Sequence, residues 1–378
     1  MIVHLFEDQK FVDITIKNFE SVSRERNKYI VFSNNKNLKH ISSKDVLVLP
    51  NSSYKIDFNL IFDDCQLVII HFLTPLKLYL LKNKPPHIKV MWSVWGSDAY
   101  DHFKHQNIFE SLSKNISQNT LLQFSKKFWV YTFYHFLRYR VCPISKELVH
   151  LKSINYISTV LPDEFQLIKK EFNLEGEYID FNYGLDNLNS FQDVKLGESV
   201  LVGNSATVSN NHLDIFEIIK CTNKHIVVPL NYGAFGYKKY RINIISEGRR
   251  IFKDSFFPIK EFIPLKEYNE LIFSCNSMIM YHIRQQALGN IYMGLFVGMR
   301  IFLNRKSITF QYLNKIGMIV FDLEKDVDLV GVELNKEQKD INRELVTKLQ
   351  GEETIIRKIK GIIDLYNYLD IEIANNLK

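Results

Sequence analysis

The chain has 378 residues, 46% of them hydrophobic and 24% charged, with a formal net charge of +6. That length suits two globular domains of ~100–200 residues each, and the composition excludes a disordered, low-complexity or disulfide-stapled chain. Met1 leads into Ile2-Val3-His4-Leu5-Phe6 without the basic start, apolar stretch and small-residue cleavage site of an export signal. The densest apolar runs, 67–70 and 128–131, stop well short of the ~20 residues a spanning helix needs, so a soluble protein, attached at most to a membrane surface, is expected.

Short β-branched runs then alternate with helical patterns along the chain. In the first half strands are expected at Ile2–Phe6, Tyr29–Phe32, Val46–Leu49, Leu67–His71, Ile88–Trp92 and Val141–Ile144, with helices at Pro75–Leu81 and from Asn119 to Arg138. A stretch rich in Asn, Asp, Gly and Ser at 186–198 breaks the rhythm and reads as a linker. Beyond it come strand Ser199–Val202, helix His212–Cys221, strand His225–Pro229, helix Tyr237–Phe252, helix Leu265–Cys275, strand Met278–His282, helix Ala287–Met299, and strands Arg300–Leu303 and Met318–Phe321. The rhythm predicts two successive doubly wound α/β domains, 1–185 and 199–334, closed by two helices in 335–378.

Cys65, Cys142, Cys221 and Cys275 form no CxxC pair and no zinc-like spacing, so reduced, buried cysteines and no metal are expected. Between His102 and Lys146 seven basic residues face one acid, which accounts for the whole +6. Lys126, Lys127, Trp129, Arg138 and Arg140 typify its mixture of cations and rings. The mixture suits an anionic membrane surface; the bland alternative is a helix with rings inward and cations solvated. Nucleic acid is disfavoured as a partner, because the charge is confined to this stretch while polar loops follow strands in both halves.

Ligands of doubly wound sheets bind beyond the carboxyl ends of the strands. After Ser199–Val202 come Gly203, Asn204, Ser205 and further small polar residues, then a helix: an anion cradle, or an ordinary capped βα loop. After Met278–His282 come Arg284, Gln285, Gln286, Gly289 and Asn290, with a guanidinium fork suited to a diphosphate and amides suited to hydroxyls. Gly294 and Gly298, one turn apart, would let the next helix approach the sheet closely. In the first half, His71 and the Trp95-Gly96-Ser97-Asp98 run lie at strand ends. Asp98 and His71 are the candidates to deprotonate a hydroxyl, against a helix cap and a core histidine.

These residues carry a family likeness. Trp92-Ser93-Val94-Trp95-Gly96-Ser97-Asp98-Ala99-Tyr100 is similar to a W-x-x-W-G-x-D-x-Y block, Val202-Gly203-Asn204-Ser205 to a V-G-N-S loop, and Arg284-Gln285-Gln286 with Gly289 to R-Q-Q-x-x-G. Val227-Val228-Pro229 with Tyr232, Glu267-Tyr268 and Leu303-Asn304-Arg305 add shorter matches, and Phe72 stands where the family has glycine after its histidine. Together they resemble glycosyltransferase family 56, the TDP-N-acetylfucosamine:lipid II N-acetylfucosaminyltransferases of enterobacterial common antigen synthesis.

The resemblance implies a GT-B-type α/β fold, with two Rossmann-like doubly wound domains facing a central crevice. It implies transfer of a deoxyamino sugar from a nucleotide-diphosphate donor to a glycan on a polyprenyl diphosphate, at the inner face of the cytoplasmic membrane. Gly203, Asn204, Ser205, Tyr232, Arg284, Gln285, Gln286, Gly289 and Asn290 would bind the donor, and Trp95, Gly96 and Ser97 would lie on the acceptor side. No Asp-x-Asp follows a strand, so metal-independent transfer without a cofactor is expected. A sugar-nucleotide epimerase or pyruvyl transferase of similar architecture, and a non-catalytic binder of anionic surfaces, are the alternatives.

Overall fold

A computed structural model describes residues 1–35, 37–52, 56–100, 148–233 and 237–376. The expected strand 141–144, the helix at 119–138, Cys142 and the basic segment with Lys126, Lys127, Trp129, Arg138 and Arg140 lie outside the described residues. The chain forms two compact units. Among the described residues one comprises 1–100, 148–186 and 352–376, and the other lies within Asn187–Gly351.

The first unit is built on seven parallel strands: β1 (Ile2–Glu7), β2 (Asn27–Phe32), β3 (Leu47–Leu49), β4 (Leu67–His71), β5 (Lys89–Val94), β6 (Tyr156–Thr159) and β7 (Glu177–Tyr178). They run in the order β3-β2-β1-β4-β5-β6-β7, so the sheet changes winding direction between β1 and β4. Alternate residues feed two separate cores. Val3, Leu5, Val68, Ile70 and Trp92 pack under α2 (Asn59–Phe62), α3 (Pro75–Asn83) and α5 (Glu164–Glu171). Ile2, Phe6, Leu67, Ile69 and Met91 pack under α1 (Val12–Val22) and the final helix, α12 (Glu352–Asn376). With both faces covered, β4 is continuously apolar up to His71.

Ile355, Ile359, Ile362, Ile363 and Tyr366 form the helical stripe that docks α12, and Lys358 pairs with Asp180 at 2.9 Å. The two closing helices therefore separate: α12 joins the first unit, while α11 (Lys336–Gln350) belongs to the second.

The second unit has six parallel strands: β8 (Ser199–Val202), β9 (Ile226–Pro229), β10 (Phe256–Ile259), β11 (Cys275–Met280), β12 (Arg300–Leu303) and β13 (Phe321–Asp322). Their order, β10-β9-β8-β11-β12-β13, again reverses beside the first strand, here between β8 and β11. The helices are α6 (His212–Ile218), α7 (Tyr237–Phe252), α8 (Leu265–Phe273), α9 (Leu288–Val297), α10 (Ile308–Lys315) and α11; the four-residue α4 (Ser97–Tyr100) belongs to the first unit.

Several elements differ from expectation. β6, β7 and β10 are additional to the expected strands. β10 contains Pro258, whose missing N–H is tolerated because β10 is an edge strand. β11 starts at Cys275 because Asn276 and Ser277 satisfy themselves while buried: Asn276 donates to Gly331 O at 3.1 Å and Ser277 Oγ accepts from Gly331 N at 3.0 Å. β13 lies a few residues later than 318–321. Gly294 does face the sheet, where a Cβ would come within 2.8 Å of Ile301. Gly298 does not: at φ +90° it ends α9, since only glycine takes this backbone without strain. Cys65 and Cys275 are buried as expected, but Cys221 is exposed, because α6 ends at Ile218 and leaves it in a surface turn.

Candidate active site

In the second unit the loops after β8 and β11 meet at the winding reversal. Gly203 has φ +68°, and a Cβ there would lie 2.7 Å from His212 Nε2 and 2.9 Å from Asn210 Oδ1. Asn210, fully buried, organises the turn. Its Nδ2 donates to Ser205 O at 2.9 Å and Thr207 O at 3.0 Å, so its Oδ1 is the acceptor, from Asn204 N at 3.0 Å and His282 Nε2 at 2.9 Å. His282 is therefore the Nε2–H tautomer. Burial first, and Arg284 second, pull its pKa down to about 3.

A chain of side chains then links the loops. Ser209 Oγ donates to Gln286 Oε1 at 2.7 Å, Gln286 Nε2 to Asn204 Oδ1 at 2.8 Å, and Asn204 Nδ2 to Tyr232 Oη at 3.3 Å. Tyr232 lies 48% exposed at the end of this chain. Ser205 is buried and donates to Thr207 Oγ1 at 2.9 Å. Gln285 is also buried, with its Oε1 unpartnered, while Asn290 Nδ2 reaches Tyr268 Oη at 3.2 Å. Arg284 is half-buried and Gly289 exposed, with open space where its Cβ would be. The predicted donor residues thus share one end of one sheet.

In the first unit Asp98 is wholly buried. Its Oδ2 accepts from Leu73 N and Trp92 Nε1, and its Oδ1 from Trp95 N, each at 2.9 Å. Burial raises its pKa, and these donors oppose that shift. Asp98 ties the turn at Gly96 (φ +99°) to the β4 loop. It is neither an N-cap nor open to an acceptor hydroxyl, which would have to displace one of these bonds.

His71 is equally enclosed. Asn27 Nδ2 donates to Glu20 Oε1 and Ser23 O, which leaves Asn27 Oδ1 to accept from His4 Nε2 at 3.4 Å. His4 Nδ1 then accepts from His71 Nε2 at 3.1 Å, and His71 Nδ1 from Tyr183 Oη at 2.6 Å. Tyr183 accepts in turn from Trp95 Nε1 at 2.7 Å and from Ser93 Oγ at 3.0 Å. Every hydrogen bond in the chain has one consistent direction with both imidazoles neutral. Burial agrees, since it pulls His4 down to about 3 and His71 well below its ordinary value. His71 anchors Trp95 from behind instead of facing a substrate.

Further residues at this sheet end are not among the sequence candidates. Glu7 ends β1, and its Oε1 is buried with no hydrogen-bond partner; so is Gln9 Oε1. Phe11, 38% exposed, stacks on Tyr183 (centroids 4.8 Å apart) and meets Trp95 edge-on at 4.9 Å, with Phe72 5.8 Å from Trp95. Phe72 holds φ +63°, a left-handed backbone that costs a side chain ~1–2 kcal/mol. The signal that points to Glu7 is its place at the carboxyl end of the first strand, the same kind of position that singles out His71 on β4.

Two parallel sheets of like strand order, each presenting loops where its winding reverses, give the chain a GT-B-type fold. The fold is that of a glycosyltransferase from Rickettsia africae ESF-5 (TM-score 0.64, 12% identity, covering 97% of this chain and 98% of that one). Anabaena HepE, solved with UDP and glucose, shares it (TM-score 0.61, 11% identity, 96% and 100%), as does an α,α-trehalose-phosphate synthase from Burkholderia xenovorans (TM-score 0.60, 7% identity, 96% and 99%). No curated protein matches the chain in sequence. Residues 180–348 match the family described as 4-alpha-L-fucosyltransferase, glycosyl transferase group 56, and the protein is a glycosyltransferase.

Proposed function

We propose that the protein transfers a deoxyamino sugar from a nucleotide-diphosphate donor, dTDP-linked by the family likeness, to a glycan carried on a polyprenyl diphosphate in bacterial surface polysaccharide synthesis. The observation that carries the donor half is the Ser209–Gln286–Asn204–Tyr232 chain, which joins the two switch-point loops inside the segment matching the family. Gly203 lets the loop turn tightly over His212 and Asn210, and with it Asn204, Ser205, Tyr232, Gln285, Gln286, Gly289 and Asn290 surround the nucleotide sugar. Arg284 neutralises the departing diphosphate, so no metal is required. HepE, solved with UDP and glucose, supports this donor chemistry. Trp95, Gly96 and Ser97 serve the acceptor. Attachment to the inner membrane face is supported by the basic and aromatic composition of 102–146; no described helix is long and apolar enough to cross a membrane.

A thermal-shift series with dTDP-, UDP- and GDP-sugars tests the reading. A ligand at a hundredfold excess over Kd stabilises the native state by ~2.7 kcal/mol, and Arg284→Ala should remove most of that shift together with turnover. No stabilisation by any sugar nucleotide would overturn it.

A further inference from the structure

Sugar transfer needs a group to take the proton of the attacking hydroxyl, and the described carboxylates at the β-strand ends of the first unit can be taken in turn. Asp8 accepts from Lys39 N at 2.6 Å and His40 N at 2.9 Å. Asp13 accepts from Ser42 N at 2.8 Å and Ser43 N at 3.1 Å. Asp98 accepts three bonds, and Glu164 accepts from Tyr100 Oη at 2.9 Å and Leu161 N at 3.2 Å. Each of these four uses both oxygens to fix a loop. Glu7, in contrast to these four, keeps an enclosed oxygen without a partner, although leaving such an oxygen unpaired costs ~1–3 kcal/mol.

Its position is also distinctive. Glu7 ends β1, and His71 ends the neighbouring β4, so it stands at the winding reversal where ligands of such sheets bind. Lys77, fully buried, donates to His71 O at 2.6 Å and Phe72 O at 2.8 Å and lies within electrostatic reach of Glu7. At the same strand ends stand Phe11, Trp95 and Phe72, and Gln9 offers a second unpartnered oxygen. Aromatic rings and unpartnered hydrogen-bond acceptors at the same strand ends suit a pyranose, which has an apolar C–H face and a rim of hydroxyl donors.

Resting on the sugar-transfer reading above, we propose that Glu7 is the catalytic base and that Phe11 and Trp95 seat the acceptor sugar ring. The Glu7 carboxylate takes the acceptor hydroxyl proton as that oxygen bonds to the anomeric carbon. The bond from that carbon to the diphosphate breaks, its electron pair leaves with the nucleoside diphosphate, and Glu7 later returns the proton to water. Phe72 accepts a strained backbone beside Trp95, so the ring it contributes helps define which sugar fits.

The test measures nucleoside diphosphate release from dTDP- and UDP-sugars, with octyl glycosides of hexoses and N-acetylhexosamines as acceptors. Glu7→Gln should lower acceptor-dependent release at least ~100-fold while melting like the wild type and keeping the full donor-induced thermal shift. Glu7→Asp should fall between the two, and formate should restore part of the rate to Glu7→Ala. Phe11→Ala should raise the acceptor KM with kcat largely kept. A folded Glu7→Gln that transfers at the wild-type rate overturns the role of Glu7 and leaves sugar transfer standing. A wild-type chain that transfers from none of these donors overturns the transfer reading and the base with it.

Discussion

Gly203 shows how one atom can decide the donor loop. A methyl group there meets His212 Nε2 and Asn210 Oδ1 inside contact distance on a left-handed backbone. Gly203→Ala should therefore cost at least ~1–2 kcal/mol from the backbone alone, read as a lowered Tm, and should weaken the donor-induced shift as the Asn210 turn moves. Asp98 makes the opposite prediction to that for a base. Asp98→Ala strands the buried Leu73 N–H, the part-buried Trp95 N–H and the Trp92 indole N–H, at ~1–3 kcal/mol for a buried group. Urea unfolding should show a loss of ~3 kcal/mol or more, with Asp98→Asn milder because its amide oxygen still accepts. If Asp98→Ala unfolds like the wild type, Asp98 does not organise this turn.

Between elements, the bond from Gln286 to Asn204 couples the loops after β8 and β11. A double-mutant cycle with Asn204→Ala and Gln286→Ala, read through sugar-nucleotide affinity, should give a coupling of ~0.5–3 kcal/mol, whereas additive losses would mean the loops bind independently. This pairing of loops was legible in the sequence, because both runs follow strands and are polar where helices open. Ser199–Val202, Tyr237–Phe252, Arg300–Leu303 and Leu67–His71 were legible to the residue, since buried parallel strands read as short continuous apolar runs and a long amphipathic helix carries strong periodicity. β6 and β7 were not: Tyr156-Ile157-Ser158-Thr159 is half polar, with Ser158 Oγ satisfied by Phe181 O at 2.7 Å, and β7 has two residues. The direction of Asp98 and His71 was equally hidden. A strand-end position says that a side chain is near a ligand site, not which way it turns, and here three-dimensional partners such as Leu73, Tyr183 and His4 decide it.

For the whole molecule, each unit encloses two neutral histidines, His4 and His71 in the first and His212 and His282 in the second. Unfolding returns each to an ordinary pKa near ~6.5, so below that pH the unfolded chain binds more protons than the folded one. Their contribution is complete above pH ~6.5 and is lost as pH falls towards the folded values, about 3 for His4, His212 and His282. Stability should drop by up to about 2.7 kcal/mol per pH unit in each unit, twice the single-group value of ~1.36. Denaturant titrations between pH 7 and 4 measure this, and a flat profile would mean the imidazoles take up protons as readily in the fold as in the unfolded chain. The closing helix α12 carries a different consequence, for the order of synthesis. The first sheet waits for a stripe encoded at 355–366, which leaves the ribosome after the whole of Asn187–Gly351. The later-encoded unit can therefore finish folding first, while the face of β1 and β4 has only α1 to cover it until 355–366 has been made.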